Sequence, residues 1–175
     1  MLRKTLAATA ALVLVLVSGT AARAAEDPVY ITSVAGGRCL DAAARYNGAN
    51  GTPIQLWDCY PPTQYNQMWR VHWLTDWDFQ LINVASGRCL EAKDWSTVSG
   101  TRLQLWDCFG LSNKNQIWHA QSTNTPGAVW LVEQHSFKVL DAAAQYNGAN
   151  GTPVQLWDRV GSETRANQRW IVPHF

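Results

Sequence analysis

Charge is scarce in this chain. Asp, Glu, Lys and Arg make up 15% of the 175 residues, against 47% hydrophobic ones, a balance that excludes a disordered chain and suits a packed core. Basic residues are not in excess. Fourteen Lys and Arg face thirteen Asp and Glu, so the positive stripe that nucleic acid demands is missing and no nucleic-acid partner is expected. The four His (His72, His119, His135, His174) and four Cys show neither a Cys-x-x-Cys nor a paired-His spacing, so no metal and no cofactor is expected. Helical apolar periodicity is lacking too, and Asp41 to Ala44 allows one turn at most.

One long uncharged run exists, at the start. Arg3 and Lys4 precede an apolar stretch centred on Ala10 to Val17, and Ala22-Arg23-Ala24 has the A-x-A form of a cleavage site. This predicts a signal peptide over residues 1–24 and a secreted, extracellular protein. An uncleaved anchor over Thr5 to Ala22 is the alternative, but its strongly apolar part is short for a bilayer. After cleavage no membrane span is expected. The loss of Arg3, Lys4 and Arg23 leaves 11 basic residues against 13 acidic ones, a net charge of −2. Export also suits the cysteines, which an oxidising compartment pairs.

What the chain has in plenty is tryptophan, ten in all, most of them at repeated positions. Cys39-Leu40-Asp41 recurs as Cys89-Leu90-Glu91 and Val139-Leu140-Asp141. Gln55-Leu56-Trp57-Asp58 recurs as Gln104-Leu105-Trp106-Asp107 and Gln155-Leu156-Trp157-Asp158. Asn66-Gln67-Met68-Trp69 recurs as Asn115-Gln116-Ile117-Trp118 and Asn167-Gln168-Arg169-Trp170. Three motifs in one order, three times over, define an internal repeat. Its copies span about 28–74, 75–124 and 125–175 within one domain, 25–175, and no catalytic domain is expected beside them.

Each copy reads as short strands between turns. Val29 to Ile31, Phe79 to Ile82 and Val129 to Val132 are rich in β-branched and aromatic residues. Gly36-Gly37, Ser86-Gly87, Asn47-Gly48 and Asn50-Gly51 supply turns. The fold class is therefore all-β with threefold repetition. The third copy carries Val139 and Arg159 where the first has Cys39 and Cys59. Both members of a pair are absent together, which predicts the disulfides Cys39–Cys59 and Cys89–Cys108 among three possible connectivities.

Alternation along Ile54-Gln55-Leu56-Trp57 buries Ile54 and Leu56 and turns Gln55 and Trp57 outward. The same alternation, applied to Asn66 to Trp69, separates Asn66 from Gln67 and Trp69. Trp69, Trp118 and Trp170 read as core. Trp57, Trp106 and Trp157 read as exposed, and a large exposed aromatic beside an amide calls for a ligand. A sugar fits. Its apolar C–H face lies against an aromatic ring, and its hydroxyls donate to a carboxylate, which can accept two of them, and exchange bonds with side-chain amides. Asp41, Gln55, Trp57 and Asn66 make up that set, and each copy supplies one. Taken alone, Asp41 reads as a turn or cap that bonds local backbone N–H groups.

The chain resembles the ricin-type β-trefoil lectins, whose mark is a Gln-x-Trp motif in each of three repeats, met here by Gln67-Met68-Trp69, Gln116-Ile117-Trp118 and Gln168-Arg169-Trp170. The resemblance implies twelve strands in three lobes, a shallow sugar pocket in each lobe, and a galactose- or xylan-type glycan as partner. It places the pocket carboxylate at Asp41 and Asp141, the stacking aromatic at Trp57 and Trp157, and polar contacts at Gln55, Gln155, Asn66 and Asn167. Gln67 and Gln168 brace the pocket from behind. Leu40 to Asp58 matches Leu140 to Asp158 at 17 of 19 positions, so these two pockets are expected to bind one ligand. The middle set, Glu91, Gln104, Trp106, Asn115 and Gln116, has a longer carboxylate and a loop one residue shorter, which predicts a weaker or altered site. A monomer is expected.

Two other classes compete. A glycosidase would draw on Asp76, Asp78 and Glu133, which lie outside the repeated motif. A protein-binding trefoil such as a protease inhibitor would need one distinctive loop, best sought at Tyr60 to Tyr65. A binding subunit of a separate hydrolase or toxin remains open. Trp73, Trp77 and Trp95 read equally as core or rim.

Overall fold

A computed structural model of the chain describes residues 27–161, 165–173 and 175; the expected signal peptide, residues 1–24, lies outside them. Thirteen short strands are present among the described residues, in three similar groups. The first holds β1 (Val29–Tyr30), β2 (Thr32–Ser33), β3 (Cys39–Ala42), β4 (Ile54–Trp57) and β5 (Met68–Trp73). The second holds β6 (Asp78–Asn83), β7 (Cys89–Ala92), β8 (Leu103–Trp106) and β9 (Trp118–Ser122). The third holds β10 (Ala128–Glu133), β11 (Val139–Ala142), β12 (Val154–Trp157) and β13 (Trp170–Ile171). The count exceeds the expected twelve because Ile31 splits the first strand. β1 pairs with β5 and β2 with β13, whereas β6 and β10 each serve two barrel neighbours unbroken.

The order β1-β5-β6-β9-β10-β13-β2 closes on itself, giving a barrel with no free edge. The hairpins β3–β4, β7–β8 and β11–β12 cap one end. Each hangs from the barrel by one pairing, Thr32 with Cys39, Ile82 with Cys89 and Val132 with Val139. The loops that end the hairpins link in a ring. Gly51 N donates to Leu105 O, Gly100 N to Leu156 O and Gly151 N to Leu56 O, each at 2.8 Å. This is a β-trefoil.

The core follows from alternation along these strands. Leu40, Leu56, Leu90, Leu105, Leu140 and Leu156 point inward and are fully buried. Trp69, Trp118 and Trp170 are buried as well, as expected. A buried indole must place its N–H, and all three do so alike, donating to Leu40 O (2.9 Å), Leu90 O (3.2 Å) and Leu140 O (2.9 Å). Trp73 joins the core edge against Phe79 and Phe175, at 5.1 and 5.4 Å between rings, while Trp77 is exposed. Cys39–Cys59 and Cys89–Cys108 are bonded as expected, across 20 and 19 residues, and a loop of that length gains about 3 kcal/mol by closure. In the third lobe Arg159 replaces the second cysteine; it donates to Gln121 Oε1 at 2.7 Å and lies 5.1 Å over the Trp130 ring.

Candidate functional site

The hairpin register builds the first half of the site. Asp41 pairs with Gln55 and Cys39 with Trp57 across β3 and β4, so these four side chains share the outer face while Leu40, Ala42, Ile54 and Leu56 fill the core. Directly opposed residues are within reach of one another, and Gln55 Nε2 donates to Asp41 Oδ1 at 2.9 Å. The second half comes from the segment before β5. Tyr65–Gln67 is a single 3₁₀ turn, not the strand expected there. This corrects the alternation argument. In a strand Asn66 and Gln67 would point to opposite faces; the tight turn brings both to one oxygen, Asp41 Oδ2, at 2.8 and 3.0 Å.

Gln67 is fully buried, and its remaining bonds go to backbone. It donates to Asp58 O at 2.9 Å and accepts from Tyr60 N at 3.1 Å. Asn66 also donates to Ala42 O at 3.0 Å. Three amide donors thus occupy three of the roughly four acceptor positions of a carboxylate. One stays open, on Oδ1, where the sequence argument allowed two incoming hydroxyls. Burial raises the Asp41 pKa, and the bonds from Gln55, Gln67 and Asn66 offset this only in part. The set opens on a pocket of about 320 Å³ whose rim adds Arg45, Tyr60 and Gln64. Trp57 forms its wall, 37% exposed.

The third lobe repeats the arrangement. Gln155 donates to Asp141 Oδ1 at 3.0 Å, and Asn167 and Gln168 to Oδ2 at 2.8 and 3.0 Å, again from a 3₁₀ turn, Ala166–Gln168. Burial raises Asp141, countered by Gln155, Gln168, the charge of Arg165 and Asn167. Its rim is different. Val160 stands for Tyr60, Arg165 for Gln64 and Gln145 for Arg45, and the pocket shrinks to about 130 Å³. The near-identity of the two motifs therefore does not extend to their rims.

In the middle lobe Gln104 and Gln116 hold Glu91 at 3.0 and 2.7 Å. Asn115 does not reach the longer carboxylate. It donates to Ala92 O at 3.1 Å, is fully buried, and its Oδ1 has no partner among the described residues. Trp106 remains partly exposed. Two of the three competing carboxylates are committed elsewhere: Glu133 is buried and accepts from His135 N (2.9 Å) and Ser136 N (2.7 Å), bracing a turn. Asp76 is exposed, and Asp78 accepts from Gln134.

The sequence profile of ricin-type β-trefoil lectin domain-like proteins matches residues 65–157. The chain belongs to this family. Among solved structures, the designed threefold-symmetric protein ThreeFoil is similar to it at 25% identity, with a TM-score of 0.71 over 81% of this chain and 94% of that one. A ricin B-like lectin of Macrolepiota procera, solved with lactose, aligns at 23% identity and a TM-score of 0.67 over 83% of this chain and 94% of its own. An exo-β-1,3-galactanase of Clostridium thermocellum aligns at 23% and 0.71 over 82% of this chain, which spans only 29% of that enzyme. No curated protein matches the sequence.

One feature of this ricin-type trefoil escaped the sequence reading. Arg38 pairs with Asp58 at 2.9 Å and is clamped by the third lobe's loop, donating to Asn150 Oδ1 and Gly148 O at 2.8 Å each, while Asn150 Nδ2 donates to Asp58 Oδ2 at 2.7 Å. Arg88, Asp107 and Asn50 repeat the clamp between lobes two and one. Lys138, Asp158 and Ser99 make a reduced version between three and two. The signal was present, because Arg/Arg/Lys and Asp/Asp/Asp recur at the repeat spacing. Asp58 reads as a flank of Gln-Leu-Trp until the loop that meets it is placed. The same loops approach the tryptophans: a Cβ on Gly151 would lie 3.9 Å from the Trp57 ring, and one on Gly100 3.6 Å from Trp157.

Proposed function

We propose that the protein is a secreted, non-catalytic lectin, cleaved after residue 24, whose domain over 25–175 acts as a monomer and binds glycan through the first and third lobes. The observation that carries this is a buried carboxylate braced by three amides beneath a half-exposed tryptophan, built twice from the same motif. A pyranose ring lies on Trp57 or Trp157, and one hydroxyl donates to the open position on Oδ1 of Asp41 or Asp141. The amide oxygens of Gln55 and Asn66, or Gln155 and Asn167, accept from its neighbours. Gln67 and Gln168 hold the carboxylate from behind and do not touch the sugar. The lactose held by the Macrolepiota lectin supports a galactose-type ligand, and xylan is the other polymer to try. The middle lobe binds weakly because the buried Asn115 cannot offer its amide.

A glycan and polysaccharide array tests this with wild type beside the Trp57→Ala/Trp157→Ala double variant and Glu91→Ala. Binding is lost in the folded double variant and nearly unchanged in Glu91→Ala. A wild type that binds no glycan, or binding indifferent to both tryptophans, removes the lectin reading. A loss from Glu91→Ala as large as that from Asp41→Ala removes the weak middle site.

A further inference from the structure

In the turn that links the barrel to each hairpin, Gly37 and Gly87 sit at φ +66° and +70°. Their amides donate to Ser33 O and Asn83 O at 3.0 and 2.8 Å. The third lobe makes the same turn and the same bond, Phe137 N to Glu133 O at 2.9 Å, with Phe137 at φ +59°. Glycine takes this region freely, whereas a bulky residue is strained there. The strain brings no packing in return, since Phe137 is 75% exposed. Strained backbone persisting without a structural return marks a functional position.

Phe137 stands at the mouth of a pocket of about 230 Å³, lined also by His119, Gln121, Val132, Glu133 and Gln134. None of these lines the pocket around Asp141. Glu133 is spent on its turn, but three polar groups keep free valences among the described residues. Gln121 accepts from Arg159 through Oε1, so its amide nitrogen is open. Gln134 donates to Asp78, so its amide oxygen is open. His119 Nδ1 faces Asp78 at 4.0 Å, leaving Nε2. A second strained aromatic borders the same turn: Trp95 of the middle lobe, at φ +54° and partly exposed, meets His135 edge-on with ring centroids 5.2 Å apart.

We propose that this junction of the second and third lobes is an additional glycan site, outside the threefold set, with Phe137 as its stacking ring and Gln121, Gln134 and His119 as its hydroxyl partners. It rests on the lectin reading for its ligand class, because an exposed ring beside open amide valences repeats the chemistry of the two main pockets. An anion is disfavoured by Glu133 and Asp78 close by, and the amides favour a hydroxyl-rich ligand over an apolar one.

The test is a backbone-amide NMR titration of the full chain carrying Trp57→Ala/Trp157→Ala, with soluble galactan and soluble xylan as the two probes. The amides of His119, Gln121 and Phe137 shift with one of them. Adding Phe137→Gly, which restores the residue of the other lobes, weakens that binding by roughly tenfold or more while the melting temperature holds or rises. Phe137→Tyr keeps the shifts. If wild type responds around Asp41 and Asp141 but neither probe moves residues 119, 121 and 137, this site falls and the lectin reading stands. If Phe137→Gly leaves the shifts intact, the site falls as well. If wild type responds nowhere, the lectin reading falls and takes this site with it.

Discussion

Asp41 and Asp141 are nearly fully buried, each with three amide nitrogens on its carboxylate, and this decides how pH acts on the site. Burial holds both above the ordinary value of 3.8. An acid whose pKa is higher in the folded than in the unfolded state holds its proton more tightly when folded. Its contribution to stability therefore grows as pH falls from the raised value towards 3.8. Asp158, held below 3.8 by its bonds from Lys138 and Ser99, loses its contribution only at lower pH still. On the proposed reading glycan binding runs the other way, because there the ionised carboxylate would be the acceptor for a hydroxyl. On acidification, binding is expected to fail above the usual carboxylate range while the melting temperature holds. Parallel calorimetric titrations and melts across mildly acidic pH check this. Binding that persists well below pH 3.8 excludes both carboxylates from the site. At this scale the sequence was informative about which residue types gather and silent on how many valences each has left.

At the scale of the element, the hairpins were legible because their period is two. The register Asp41 to Gln55, Glu91 to Gln104 and Asp141 to Gln155 follows from matching apolar faces, since a slip of one residue would turn one strand's apolar set out to solvent. The 3₁₀ turns before β5, β9 and β13 were not legible; Asn-Gln before a strand has no helical signature of its own. Nor was the packing of the loops. Asn47-Gly48 and Asn50-Gly51 read alike as turn glycines, yet the two kinds differ in space. A Cβ on Gly148 would lie 2.6 Å from Ala35 O of the first lobe, whereas one on Gly51 would meet nothing within 4 Å; both glycines have positive φ, +68° and +87°. Gly148→Ala is expected to cost about 1–3 kcal/mol and Gly51→Ala distinctly less, read from urea midpoints. Equal losses would show that backbone strain alone, and not the interlobe contact, sets the cost.

For the whole molecule, the closed barrel fixes on one body the two pockets proposed as glycan sites, and on that reading a polymer would engage both. Linked sites of this kind gain about 10²–10⁴ in avidity when the spacing permits. Trp157→Ala alone is therefore expected to lower polysaccharide affinity by roughly tenfold or more, while the Kd of a free monosaccharide at the first pocket is unchanged. Isothermal titration with both ligands measures it, and a merely twofold fall on polysaccharide would mean that the pockets act singly.

By itself the sequence determined the all-β class, the threefold repeat, the two disulfides, the core indoles and the residue types around each carboxylate. All of these follow from periodicities within a repeat of about 50 residues and from comparison of its copies along the chain. Only the tertiary structure decided the split of the first strand at Ile31, the interlobe clamps of Arg38 and Arg88, the narrowing of the third pocket and the exposure of Phe137. The split and the clamps depend on which distant segment arrives beside a residue. That is set by the closure of the barrel, and even the recurring Arg38 and Arg88 do not by themselves name the loop they meet.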